Sequence, residues 1–389
     1  MNAVLFNIHD VALLMRVGEC SLLAVLFLAH RGAKPYCNLL LALFLLLNAM
    51  IALHLLTLWG EAFRFLAFDF SPNVFFIFNF AYFLEGPILY WYIRSVLYKD
   101  FKFAPTDILH LIPAAATPII LYFLYYCRPH EIKQGIALNF KDYGATEPLF
   151  DWIVHPEKIV IVLYGIACLY QLFKYRKLLK HNYSDIERID LTWLMLLIGG
   201  FMASWLCFLA AHIFGAFALA PMGEGLAVSA NYVLFVLINI LIFYSLIYSD
   251  LFEGVNEGKN ENESAGENTS RDEITPEQLA IIQNAMEKDK LYLNSRLTLE
   301  EFSKQTGLHP RLVSSVINRK LEQNFHEFVN RYRVEEVKRV LCAPDSHALA
   351  ITDIATNAGF NSKAAFNRFF KKFTDMTPTQ FREQHQKPL

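Results

Sequence analysis

The chain has 389 residues, of which 54% are apolar and 34 are phenylalanine, with a formal net charge of −2. A mean hydropathy of +0.29 excludes a wholly water-solvated globule of this size, and the length allows two or three domains. The near-neutral total excludes nothing by itself, because it averages three unlike regions: 16 basic and 16 acidic residues up to Ser249, 2 and 8 from Asp250 to Ile274, and 17 and 13 from Thr275 onward.

Seven stretches carry the roughly 20 mostly apolar residues that cross a hydrocarbon core as helix. They are 11–29, 38–59, 73–97, 108–127, 156–175, 191–214 and 227–248. The residues ahead of the first lack the basic start and small-residue cleavage site of a secretory leader, so 11–29 is expected to stay in place as an anchor. The odd-numbered loops hold Arg31, Lys34, Arg94, Lys99, Lys102, Lys174, Arg176, Lys177, Lys180 and Arg188. The even-numbered loops and their margins hold only Arg64, Arg128, Lys133, Lys141 and Lys158. By the positive-inside rule the N-terminus then lies outside, and seven crossings bring the C-terminus into the cytoplasm. The segment from Arg128 to His155 is the longest outer loop, long enough to cap the bundle but too short for a domain.

Polar residues inside the spans are the sequence handle on a signal-sensing site, since charge in hydrocarbon faces a cavity or a partner. The candidates are Arg16, Glu19, His54, Glu85 and His212. Each also has a purely structural reading. Arg16 and Glu19, three residues apart, can pair with each other; Glu85 stands beside Gly86-Pro87, where the helix loosens; His54 and His212 suit core histidines bonded to carbonyls. The six cysteines show no CxxC or other metal-type spacing and read as reduced, mostly buried thiols. No nucleophile motif, phosphate-cradling loop or metal spacing stands out, so no cofactor, no metal and no enzymatic activity are expected.

Residues 251–274 are rich in Glu, Asn, Gly and Ser and nearly empty of large apolar side chains, which predicts a disordered acidic linker. With about 22 flexible residues its r.m.s. span is ~25 Å. Helical periodicity resumes at Thr275-Pro276-Glu277-Gln278, a capping box with proline at the first helical position. Residues 297–306, the break Gly307-Leu308 and residues 309–320 make two short helices around a glycine turn, held by Phe302, Val313, Val316 and Ile317. The second of them presents His309, Arg311, Ser314, Ser315, Asn318 and Arg319. An amphipathic helix over 325–341 turns Phe325, Phe328, Tyr332, Val337 and Leu341 inward. The same device then repeats: residues 351–357, the break Ala358-Gly359-Phe360, and a helix over 361–373 that Asn361 or Ser362 caps. That helix carries Lys363, Ala364, Asn367, Arg368, Lys371 and Lys372. Arg and Asn read guanine and adenine edges bidentately, while lysines and a helix N-terminus suit phosphate. A 325–341 helix about 25 Å long would set two such recognition helices about one turn of duplex apart.

The tail resembles the AraC/XylS family of bacterial transcription regulators over about 100 residues. The resemblance rests on Leu299 and Phe302, on 324–341 with its Arg333, and on Ile354, Ala355, Gly359, Phe360, Phe366, Phe370, Thr377, Pro378 and Arg382. Residues 86–90 (GPILY) and 110–113 (HLIP) are also similar to the family's subgroup with a seven-helix membrane part. The resemblance implies base contacts from Arg311, Ser314 and Ser315 in the first unit and from Lys363, Ala364, Asn367 and Arg368 in the second. The sequence departs from the family's pattern at Ser315, where arginine is common, at Val337, where alanine is usual, and at Asp375, where glycine is frequent.

The expectation is an all-α chain: a seven-helix transmembrane domain (1–250), a linker (251–274) and a soluble AraC-type domain (275–389) of two helix-turn-helix units joined by a long helix. In function it would be a bacterial inner-membrane, one-component transcription regulator. Its expected partners are double-stranded DNA, the lipid bilayer, RNA polymerase, a second copy of the chain, and a small-molecule or membrane signal. A reading from another class makes the membrane part a transporter or lipid-handling protein and the tail a protein-docking module. The spans, however, show no matched interrupted halves and no acid-base constellation that would carry it.

Overall fold

The computed structural model describes residues 7–29, 35–98, 101–138, 151–186, 191–216, 220–247, 275–343 and 349–385. The linker expected over 251–274, and Arg31, Lys34, Lys99, Lys141 and Arg188, lie outside the described residues. Among the described residues every regular element is helical, and an isolated antiparallel bridge pairs Tyr183 with Thr298. The chain divides into two compact units, one of Met1–Leu172 with Leu191–Glu261 and one of Phe173–Asp190 with Asn262–Leu389.

The first unit contains α1 (Ile8–Ala29), α2 (Pro35–Trp59), α3 (Glu61–Phe70), α4 (Phe80–Leu97), α5 (Ile112–Leu121), α6 (His130–Leu138), most of α7 (Asp151–Asn182), α8 (Thr192–Ala216) and α9 (Ala220–Ile247). Six segments are long and apolar enough to cross a membrane: Ile8–Ala29, Tyr36–Trp59, Pro105–Tyr126, Pro156–Asn182, Trp193–Phe214 and Pro221–Ile240. They correspond to six of the seven stretches read from the sequence. The remaining one, 73–97, is helical as α4 only from Phe80, after a 3-10 turn at Pro72–Val74. Glu85, Pro87 and Arg94 dilute its apolar character, and its 18 residues are mostly buried among the other helices. The Pro105–Tyr126 segment is built in three pieces, a 3-10 stretch (Pro105–Leu111), α5 and a widened π turn (Tyr122–Tyr126). Prolines at 105, 113 and 118 remove backbone donors along it, so one regular ladder cannot run through.

Packing in this unit follows small residues. Cys20 and Ala24 of α1 meet Ala42 and Ala49 of α2, with Ile238 of α9 closing the cluster, and all of them are buried. Such side chains let helix backbones approach closely, as association without a hydrophobic drive between helices requires. The opposite faces carry Val11, Leu14, Leu22, Val25 and Leu26 of α1 and Leu163, Ile166 and Phe173 of α7, all exposed.

The second unit adds α10 (Pro276–Glu287), α11 (Leu299–Thr306), α12 (Pro310–Lys320), α13 (Phe325–Leu341), α14 (Ile351–Asn357), α15 (Lys363–Thr374) and α16 (Pro378–His385). Its boundaries follow local chemistry. Thr275 and Gln278 close the expected capping box on α10; Thr298, Asn324 and Ser362 each accept a backbone N–H at the starts of α11, α13 and α15. Of the two residues that read as possible caps for α15, Ser362 does the capping. Gly307 ends α11 with φ +68, a left-handed conformation that favours glycine.

Helix α13 is the shared spine. Phe325, Phe328 and Val329 belong to one apolar core with Phe302, Val313, Val316 and Ile317. Val334, Val337 and Leu341 belong to a second with Ile354, Ala355, Phe366 and Phe370. Each helix-turn-helix unit therefore has a core of its own and takes half of one helix to complete it. Val337, where the family has alanine, is fully buried in the second core.

Candidate nucleic-acid interface

Burying one stripe of each recognition helix decides what the other faces offer. On α12 the buried stripe is Val313, Val316 and Ile317, which leaves Arg311, Asn318, Arg319 and Lys320 exposed and Ser314 and Ser315 half-buried. Asn318 Nδ2 donates to Ser314 Oγ at 3.1 Å, so these two polar groups form one patch. On α15 the stripe is Ala365, Phe366, Phe369 and Phe370, and Lys363, Ala364, Asn367, Arg368 and Lys371 lie on the exposed surface. Lys363, Asn367 and Lys371 are spaced by four residues and so line one ridge of the helix. Lys372 is turned aside: its Nζ lies 2.6 Å from Glu327 Oε1 of α13.

Two residues at the margins of α15 bear on the reading from sequence. Asp375 terminates the helix with φ 57, so it occupies the left-handed conformation for which the family uses glycine. Asn361, one residue ahead of the cap, has its amide engaged within the second unit. Its Nδ2 donates to Asp185 Oδ2 at 2.7 Å and to Ser295 O at 3.1 Å.

Asp185 belongs to the short segment that follows α7. Ser184 beside it is only 1% exposed, and five hydrogen bonds surround it. Its N–H and Oγ donate to Leu297 O at 3.2 and 2.7 Å. Its carbonyl accepts from His326 Nδ1 at 2.6 Å and Asn330 Nδ2 at 2.9 Å, and its Oγ accepts from Arg333 Nη2 at 3.2 Å. Arg333 also donates to Tyr292 O and Asn294 O, each at 2.8 Å, and to Asn330 Oδ1 at 3.2 Å. Burial pushes its guanidinium down to about 10, against the pull of the Asp185 carboxylate, and pushes His326 down to about 4. Gly359 closes the node with φ +96; a Cβ there would stand 2.6 Å from Tyr292 O and 2.9 Å from Arg333 Nε. No sequence spacing points to Ser184, because its partners at Leu297 and on α13 lie more than a hundred residues away in the chain.

The candidate sensing residues of the first unit separate into two groups. Arg16, 1% exposed, donates to Asn48 Oδ1 at 2.8 Å and Asn231 Oδ1 at 3.4 Å instead of pairing with Glu19. Glu19 accepts from Asn239 Nδ2 at 3.1 Å. Arg16 and Glu85 line one cavity with Glu157, Lys158, Tyr82 and Trp205, and its interior admits water-sized spheres over about 60 Å³. Glu157 and Lys158 are paired at 2.6 Å. Lys158 had counted as a loop-margin charge for orientation, yet its side chain is mostly buried and its ammonium lies 4.8 Å from the Tyr82 ring centre. Arg16 Nε is buried without a hydrogen-bond partner, whereas the Trp205 indole faces the Glu85 carboxyl as a donor. His54, between the rings of Phe76 and Tyr82, and half-buried His212 do not line this cavity.

The two shared-spine cores and paired recognition helices define a double helix-turn-helix module, and comparison with known proteins agrees. Residues 302–384 match the family described as a helix-turn-helix domain, of the AraC type. A stretch of 93 residues is 39% identical to an uncharacterized HTH-type transcriptional regulator of Staphylococcus aureus (strain COL), covering 24% of this chain and 12% of that protein. A stretch of 90 residues is 32% identical to the uncharacterized HTH-type transcriptional regulator YtdP of Bacillus subtilis (strain 168), covering 23% of this chain and 11% of that one. The chain thus matches about an eighth of the length of these curated relatives. No solved structure matches it.

Proposed function

We propose that this chain is a membrane-embedded, one-component transcription regulator: residues 1–250 form a seven-helix sensing domain, 251–274 a linker and 275–389 a DNA-binding domain in the cytoplasm. The observation that carries the reading is one chain bearing both a double helix-turn-helix module and six long apolar helices whose outward faces are apolar. Such faces are stable against lipid and costly against water. In this reading α4 is the seventh span, kept inside the bundle because it carries Glu85 and Arg94.

DNA is read through two successive major grooves, by Arg311, Ser314, Ser315, Asn318 and Arg319 on α12 and by Lys363, Ala364, Asn367 and Arg368 on α15. Ser362 and Lys371 serve the phosphates, and Asn361 and Lys372 join them when released from Asp185 and Glu327. The signal is received at the cavity lined by Arg16 and Glu85, with Glu19, His54 and His212 supporting the bundle around it. The partnerless Arg16 N–H beside open volume favours a small ligand that brings acceptor oxygens. RNA polymerase and a second copy of the chain complete the set of partners.

The test uses the full-length protein in lipid nanodiscs and a pool of random 30-base-pair duplexes. Binding should weaken linearly in log–log salt titration, as release of counterions demands, and selection should enrich one sequence family. Absence of salt-sensitive binding to every duplex would overturn the reading.

A further inference from the structure

The segment Tyr183–Ser184–Asp185 bonds to the start of α11, to the spine α13 and to the residue ahead of the cap of α15. Tyr183 pairs with Thr298, the cap of α11, and Ser184 bonds Leu297 beside it. On the spine α13, Ser184 takes His326, Asn330 and Arg333. Asp185 takes Asn361, at the threshold of the second recognition helix. Three consecutive residues from elsewhere in the chain thus bridge both reading units and the helix that spaces them.

We propose that residues 183–185 form an autoinhibitory strap. Docked, the strap locks α12 and α15 in one relative placement and holds a carboxylate where DNA phosphate would approach α15; released, it frees both. This rests on the DNA-binding reading above and adds its regulation.

Three physical points support a device that comes and goes. The first is electrostatic: the N-terminus of a helix attracts phosphate, and the Asp185 carboxylate occupies that neighbourhood with the same charge sign as phosphate. Asn361 is spent as well, because its amide already donates to Asp185 and Ser295. The second is that the contact is polar. His326, Asn330 and Arg333 exchange a serine for water at small net cost, whereas an apolar plug would leave exposed hydrocarbon behind. The third is mechanical. Within the second unit the last turns of α7 run to Asn182, immediately before the strap. A helix carries displacement along its axis to the residues that follow it directly.

The decisive experiment traps the strap in the full-length protein. A Tyr183→Cys/Thr298→Cys variant, with exposed Cys127 and Cys342 replaced by serine, is reconstituted in nanodiscs and oxidised. Antiparallel bridge partners lie at disulfide distance, so most molecules should close the bond. The oxidised form should bind the duplex enriched from the random pool about tenfold more weakly than the reduced form, with reductant restoring it. Asp185→Ala and Ser184→Pro, which removes both donors to Leu297, should tighten binding about fivefold, and Asp185→Asn should lie between. Failure of the bond to form overturns the docked strap, and equal affinity of the oxidised and reduced forms overturns its inhibitory role. If no form binds any duplex, the DNA-binding reading fails and inhibition with it, while the disulfide yield still reports docking.

Discussion

Arg16 and Arg333 are equally buried, at 1% exposure each, and they teach opposite lessons about their two units. Arg333 donates from all three of its nitrogens, to three carbonyl or amide oxygens and a hydroxyl. Arg16 donates to two asparagines, leaves Nε without a partner and borders a cavity that also holds Glu85, Glu157 and Lys158. A buried charge with every nitrogen engaged is architecture. One with capacity unspent, next to open volume, is where a ligand gains most by binding. The surroundings invert in the same way: the first unit hides polar groups and displays Leu22, Val25 and Leu163, while the second hides Phe302, Phe328 and Phe370 and displays Lys363 and Arg368.

The sharpest way to break this contrast is to remove each arginine. Arg333→Ala strands the carbonyls of Tyr292 and Asn294 in the interior, and two buried acceptors at 1–3 kcal/mol each should cost the second unit about 3 kcal/mol or more. Hydrogen exchange of α13 in the full-length protein measures it. Arg16→Met should leave α13 unaffected and alter only the response, because no contact of Arg16 serves the reading helices. If Arg333→Ala left exchange unchanged, the node would not be the structural joint described here.

Protonation probes the same node from another side. His326 is held neutral in the folded state, down to about 4, chiefly by burial, whereas an unfolded histidine titrates near 6.5. The unfolded chain therefore binds the proton first as pH falls. The second unit should keep full stability above pH 6.5 and lose on the order of 2 kcal/mol between there and pH 4. His326→Gln should flatten that stretch of the profile. An unchanged slope in the variant would assign the acid sensitivity elsewhere.

A smaller effect is expected on affinity. Asn367→Ala and Arg368→Ala each remove a side chain from the exposed ridges of α15, and each should cost about 1–3 kcal/mol of binding to the enriched duplex while relaxing its sequence preference. Lys371→Ala should weaken all duplexes alike and lower the salt slope by about one. If Asn367→Ala and Lys371→Ala gave the same pattern, α15 would be a phosphate clamp and not a reader.

What was legible in the sequence was short-range. The capping box at Thr275 and Gln278, the break at Gly307 and the bounds of α13 at 325 and 341 are set by residues within a turn or two of each other, so pattern alone finds them. The apolar helices announced themselves by length. What stayed hidden was decided by distant partners: Ser184 has no composition or spacing that marks it, and Lys158 reads as a loop charge until Glu157, Tyr82 and Trp205 are seen around it. The 73–97 stretch is the least plain of the seven, because Glu85, Pro87 and Arg94 lower the hydropathy of α4 below that of the six long apolar helices.

The least effect is expected at Asp375, which tests whether a departure from the family's pattern is a cost or a function. Its φ of 57 is a conformation that asparagine and aspartate tolerate better than most residues but that glycine adopts freely. Asp375→Gly should therefore stabilise the end of α15 by about 0.5 kcal/mol, offset in part by the extra freedom of glycine in the unfolded chain. Its carboxylate also stands at the helix C-terminus, where negative charge is unfavourable, and that adds to the gain. Thermal unfolding of the full-length protein in nanodiscs, read at α15 by hydrogen exchange, resolves a change of this size. A loss of stability on going to glycine would mean that the Asp375 side chain contributes an interaction of its own at the closing turn.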